Sequence, residues 1–199
     1  MSKPIEFYRI PNSDNLEFAE CMNIYHEAFP TYERQSDEII IRRVSEGSCM
    51  LLAGRAEGKI VCMSILWDFL ETNYLFLDYF AVANSVKGQK VGTRFLRFII
   101  NEFLTTGKFL VMEVEHPDYG INKEDRKRRI KFYQNNGGVI LENVKYFLPP
   151  LGGSVTPLEM QLMILPDLGR KPGEEEIREL IKIIYKKVYQ LEYDSPTNT

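Results

Sequence analysis

The alternation of apolar and polar positions divides the chain into short elements of two kinds. Tyr74–Val82 (YLFLDYFAV) is aromatic and β-branched, the composition of a buried strand. Beyond a turn-forming stretch, Val91, Phe95, Ile99 and Phe103 recur four apart, which is one face of a helix reaching about Thr105. The same reading predicts a strand at residues 5–10 and a helix capped by Asp14 with Glu17 and running through about Phe29. A second helix follows over residues 36–46. Residues 49–57 and 60–70 then form a hairpin turning at Gly58-Lys59. Phe109–Glu115 is a further strand, Asn122 caps a helix reaching about Asn135, and residues 139–141 and 159–165 are the last two strands. Proline and glycine make residues 146–157 a loop.

This order is a strand, two helices, an antiparallel run, then alternating strands and helices, which implies parallel pairing in the second half. The expected fold is α+β, a mixed and mostly antiparallel sheet flanked by helices. Residues 166–173 read as a linker, and 174–191 as an amphipathic helix with Ile177, Leu180, Ile181, Ile184, Val188 and Leu191 in one stripe. The chain is therefore divided into a domain over residues 1–166 and an appendage over 167–199. The stripe packs on that domain or on a partner, a second copy included. Residues 195–199 are a polar end.

Composition narrows the classes. In 199 residues, 44% hydrophobic and 12% aromatic, there is enough apolar matter for a sizeable core. A net charge of −3 provides no general attraction to nucleic acid or to an anionic membrane surface. The absence of a long apolar run and of a signal-like start, with three cysteines in apolar contexts, suits a soluble cytoplasmic protein with reduced thiols. His26 and His116 have no partner at ligand spacing, so no metal site is expected.

The turn between Val82 and the helix is the strongest candidate for chemistry. A helix start exposes backbone N–H groups without acceptors and carries about half a positive charge, so it binds phosphate. The stretch Phe80-Ala-Val82, then Lys87-Gly-Gln-Lys-Val-Gly92-Thr93, ending at Phe95-Leu96, resembles the [Gln/Arg]-x-x-Gly-x-[Gly/Ala] signature of the GNAT superfamily of N-acetyltransferases. Phe132-Tyr-Gln-Asn-Asn-Gly-Gly138 is similar to that family's second motif, "FYxxxGF". The order of elements matches from about residue 5 to 165. Lys87 stands where Arg or Gln is usual, and Gly138 replaces an aromatic. Lys90 stands where the first signature glycine is usual, a place where glycine permits positive φ and close backbone approach.

The resemblance implies acetyl-CoA as co-substrate, held where strands four and five splay apart. Its pyrophosphate would rest on the N–H groups of about Gln89, Lys90, Val91, Gly92 and Thr93, within the turn Lys87-Gly88. Its pantetheine arm would pair with the backbone of Phe80, Ala81 and Val82. Tyr133 takes the place of the family's thiolate-protonating phenol. The basic run from Lys123 to Lys131 reads as a solvated helix face, with the ribose phosphate of CoA as its alternative use.

The residues leave the proton acceptor open. Strand alternation puts Asp78 on the face of Phe76 and Phe80, an unusual place for a carboxylate. Glu113 and Glu115 share a face of the strand after it. Glu113 and Asp78 rank ahead of Glu115 and Glu33, and two carboxylates could equally bind a cationic substrate. Glu33, Glu115 and Tyr146 are the candidate substrate contacts. The expected function is direct transfer of acetyl to a primary amine of a small molecule or peptide. The alternative is a non-catalytic acyl-CoA-binding or interaction module on the same fold.

Overall fold

The computed structural model describes residues 4–104, 107–118, 122–151, 156–166, 169–170 and 172–193. It divides into two compact units, Met1–Glu113 with Pro150–Pro157, and Val114–Pro149 with Leu158–Thr199. The described residues hold eight strands and five α-helices in a mixed α+β fold.

The first unit runs β1 (Glu6–Ile10), α1 (Leu16–Ala28), a 3-10 turn at Thr31–Glu33, α2 (Asp37–Ser45), β2 (Met50–Ala56), β3 (Lys59–Asp68) and β4 (Tyr74–Val82). A 3-10 turn at Asn84–Val86, α3 (Val91–Phe103) and β5 (Phe109–Glu115) follow, β5 carrying the chain into the second unit. The strands lie in the order β1-β2-β3-β4-β5, antiparallel except for the parallel pair β4–β5. The four-residue repeat in α3 is real packing. Val91, Phe95 and Ile99 are buried, and Phe95 stacks on Phe7 and on Phe80 with ring centroids 5.3 Å away in each case. Burying such a side chain contributes about 1.5–3 kcal/mol. Thr105, the expected end of that helix, lies outside the described residues.

Two local expectations change. Asn15, not Asp14, caps α1, its side chain accepting from the Phe18 N–H at 2.7 Å. Glu17 is drawn instead to Tyr8, which donates to it at 2.7 Å, and to Arg55. The hairpin turns on Glu57-Gly58, both at positive φ (51° and 77°), the twist that matches two antiparallel strands, and Lys59 already pairs with Ala56.

The second unit contains α4 (Lys123–Gln134), β6 (Val139–Ile140), β7 (Tyr146–Leu148), β8 (Leu158–Leu165) and α5 (Glu174–Ile184), with a π-helical turn at Tyr185–Tyr189. β8 pairs antiparallel with β6 and β7. Residues 146–148 were expected in a loop, yet Tyr146 and Leu148 are buried and face Met160 and Leu158. Prolines 149 and 150 end the strand rather than prevent it. Residues 152–155 of that loop, 167, 168 and 171 of the expected linker, and the polar end lie outside the described residues. In the final helix Leu180, Ile181, Ile184 and Val188 are buried, and the Tyr185 hydroxyl donates to the Phe147 carbonyl. The α-helix gives way to the π turn, and Gln190 at φ 57° ends it, leaving Leu191 46% exposed.

No described helix is long and apolar enough to cross a membrane, and no described group of His, Cys, Asp and Glu is arranged to hold a metal. All three cysteines are buried and reduced.

Candidate active site

The register of β4 changes character at one residue. Against β3, Trp67 pairs with Phe76 and Leu66 with Leu77, but Ile65 pairs with Tyr79. Asp78 is therefore an extra residue, a β-bulge. Against β5, pairing runs from Tyr74–Phe109 to Leu77–Met112, so among the described residues the β4–β5 ladder ends just before Asp78. Bulge and splay begin together.

The bulge shifts the phase of alternation. Phe76 and Tyr79 now share a face, and Phe80 turns to the other, where it stacks on Phe95. Asp78 thus does not share a face with Phe80, contrary to strict alternation. Its carboxylate accepts from the Trp67 indole N–H at 3.0 Å, and the Arg43 guanidinium lies 5.1 Å over the Trp67 ring. Removal from water pushes Asp78 up to about 7, against the opposing pull of the Trp67 hydrogen bond and the Arg43 charge. A carboxyl so placed changes protonation near neutral pH. Glu33 belongs to the same unit. Tyr79 donates to the Glu33 carbonyl at 3.0 Å and accepts from the Gln35 N–H at 3.2 Å, tying that turn to the residue after Asp78. Glu113, near the end of β5, is half-buried.

The turn beyond β4 retains the conformation its sequence put in question. Gly88 has φ +79° and Lys90 has φ 60°, ψ 16°, so Lys90 adopts the left-handed conformation that glycine usually supplies. This costs an L-residue about 1–2 kcal/mol. The Arg94 N–H donates to the Lys90 carbonyl at 3.1 Å as the first bond of α3, and Lys90 provides no side-chain cap. The N–H groups of Val91, Gly92 and Thr93 precede that bond and have no acceptor within the helix. Lys87, Gly88, Gln89 and Lys90 are exposed. Beside this turn, a cleft of about 610 Å³ is lined by Gln89, Val91, Arg94, Ser85 and hairpin residues including Lys59 and Ile60. It does not include the β4 edge.

In the second unit Tyr133 is buried, and desolvation pushes its phenol up to about 12 against the nearby Arg129 charge. Gly137 at φ +92° ends α4, and the Gly138 N–H returns to the Tyr133 carbonyl at 2.9 Å. A Cβ at Gly138 would come within 3.1 Å of that carbonyl oxygen, a tight approach that a side chain there would have to relieve by a small shift. Glu115 is engaged by Arg126 at 2.8 Å and Arg129 at 2.7 Å, so its carboxylate is already occupied. Arg128, Lys127 and Lys123 pair with Asp125, Glu124 and Asp118, and the basic run is an ion-paired helix. Tyr146 is fully buried, edge-on to Tyr185. The His26 ring bonds Asp37, and the His116 ring accepts from the Asp118 N–H.

Trp67, Arg43 and Gln35 were not singled out from the sequence. The signal was available for Arg43: it stands three residues after Ile40 and beside Val44 on the apolar face of α2.

A family model described as the acetyltransferase (GNAT) family matches residues 18–137. No curated protein matches the sequence. Among solved structures, a protein assigned to the GNAT family from Bacteroides thetaiotaomicron is 24% identical with a TM-score of 0.80, over 94% of this chain and 99% of that one. The ribosomal-protein-alanine N-acetyltransferase from Escherichia coli is 18% identical with a TM-score of 0.60, over 86% and 97%. A GNAT acetyltransferase from Elizabethkingia anophelis with acetyl-CoA bound is 14% identical with a TM-score of 0.55, over 81% and 97%. At these identities the structural likeness is one of fold.

Proposed function

Because the chain belongs to the GNAT family of acetyltransferases, with the matching model spanning residues 18–137, we propose that it transfers acetyl from acetyl-CoA directly to a primary amine of a small molecule or peptide. The observation that carries this reading is the end of the β4–β5 ladder at Leu77, followed along the chain by the N–H groups without helical acceptors at the start of α3. Those donors suit a pyrophosphate, with Lys90 and Lys87 adding charge at the rim. The backbone of Phe80, Ala81 and Val82 suits the amides of a pantetheine arm laid alongside as an added strand. Bound acetyl-CoA supplies an activated thioester carbonyl.

The chain's own residues handle protons. A primary amine with pKa about 10.4 needs about 4–5 kcal/mol to lose its proton at pH 7. Asp78, pushed up to about 7, is poised to take that proton at its carboxylate, either directly or through water. Glu113 is the second candidate. Tyr133 retains its proton at neutral pH and is proposed to offer it to the departing sulfur. The carboxylates of Asp78 and Glu33 favour a cationic acceptor. Glu115, committed to two arginines, is assigned a structural part.

Thermal denaturation with acetyl-CoA tests the reading, followed by CoA release across an amine panel. Ligand at a hundredfold its Kd should add about 2.7 kcal/mol of stability. No shift at millimolar acetyl-CoA refutes binding. A shift without CoA release from any amine favours the acyl-CoA-binding module.

A further inference from the structure

We propose that Trp67, backed by Arg43, is a positioning residue that orients the Asp78 carboxylate and sets the pH at which it takes up a proton. This rests on the reading of Asp78 as proton acceptor. Three observations support it. The Trp67 indole N–H donates to Asp78 Oδ2 at 3.0 Å, and indole is a donor only, so the bond favours the ionised carboxylate. Arg43, 3% exposed, lies 5.1 Å from the centroid of the same indole, where a cation draws electron density from the ring and sharpens its N–H as a donor. Arg43 is itself fixed, donating to the Gln35 side-chain oxygen.

Gln35 is held from two further elements. The Tyr25 hydroxyl of α1 donates to its carbonyl at 3.0 Å, and its N–H donates to the Tyr79 hydroxyl at 3.2 Å. The titratable groups that share the surroundings of Asp78 and feel its charge are Arg43 on α2, Tyr25 on α1, Tyr79 on β4 and Cys49 before β2, and of these Arg43 acts back on it. Burial pushes Tyr25, Tyr79 and Cys49 upward, so all three are neutral in the working range and Arg43 is the charge that counts. Trp67 stands opposite Phe76, and Asp78, two residues further along β4, reaches its indole N–H across the ladder.

Trp67 is the single tryptophan of the chain, which gives the test a readout independent of activity. Its fluorescence should titrate with a midpoint near that of Asp78, and Asp78→Asn should abolish the transition. The acid limb of kcat/KM should share this midpoint. Trp67→Phe, which keeps an aromatic but loses the donor, should move that limb up by about one pH unit, with the KM for acetyl-CoA unchanged. Arg43→Gln should raise the fluorescence midpoint in the same direction, and Arg43→Lys should restore it. These last two keep the question open to measurement if Trp67→Phe does not fold. An acid limb that coincides with the fluorescence midpoint but does not move in Trp67→Phe or Arg43→Gln overturns the positioning role and leaves Asp78 as acceptor. A fluorescence transition far from the acid limb overturns Asp78 as acceptor, and the proposal with it.

Discussion

Lys90 separates what backbone and side chain would contribute to the turn proposed to bind phosphate. Replacing it with glycine removes a left-handed L-residue, a relief of about 1–2 kcal/mol. Glycine's greater freedom in the unfolded chain returns about 0.5–1 kcal/mol of that. The unliganded Lys90→Gly protein should therefore be more stable by about 0.5–1 kcal/mol, and for a chain of this length each kcal/mol moves Tm by about 2–4 °C. Lys90→Ala loses the same charge but keeps the strain, so it should show no such gain. Both variants should bind acetyl-CoA several-fold more weakly, since an exposed ammonium–phosphate pair contributes about 0.2–1 kcal/mol. Differential scanning calorimetry of the two variants without ligand, and titration calorimetry with acetyl-CoA, measure the two effects separately. A Lys90→Gly protein less stable than Lys90→Ala refutes the backbone argument. Loss of binding in Lys90→Ala beyond tenfold refutes the assignment of the pyrophosphate to backbone N–H groups.

Gly54 faces Phe7 across the sheet, and a Cβ there would lie 2.5 Å from the Cys62 sulfur and 2.8 Å from the Phe7 ring. Gly54→Ala should cost about 1–3 kcal/mol, read as a fall in Tm; an unchanged Tm would show that the Phe7 stack yields freely. Asp78 should also leave a mark on stability against pH. Its folded pKa, about 7, lies above its unfolded value, so the folded state holds the proton longer. Its contribution is fully present below about pH 4 and is lost as pH rises to about 7. Denaturation midpoints of Asp78→Asn should lack this decline, and an identical slope in both proteins counts against the raised pKa.

Much of this was legible in the order of residues. Val91, Phe95 and Ile99 declared the buried face of α3, and the apolar run around Leu75 and Leu77 declared β4. The turn before α3 was recognisable because its chemistry is local. What escaped depended on partners distant in sequence. The bulge at Asp78 has no mark in β4 itself, since an extra residue exists only relative to β3. The commitment of Glu115 to Arg126 and Arg129 required α4 to turn two arginines toward one strand residue. Residues 146–148 read as loop because prolines followed them, although alternation was present in miniature.

Asp78 is the residue of β4 that the ladder with β3 leaves without an opposite number. Identity and presence therefore carry separate messages at this position. Exchanging the side chain changes the bond to Trp67 but leaves the backbone register of β3 and β4 as it is. Deleting the residue would close the ladder, with Leu77 still opposite Leu66 and Tyr79, with its hold on the Glu33 turn, still opposite Ile65. The extra length at this position therefore serves the side chain it carries and not the sheet that holds it.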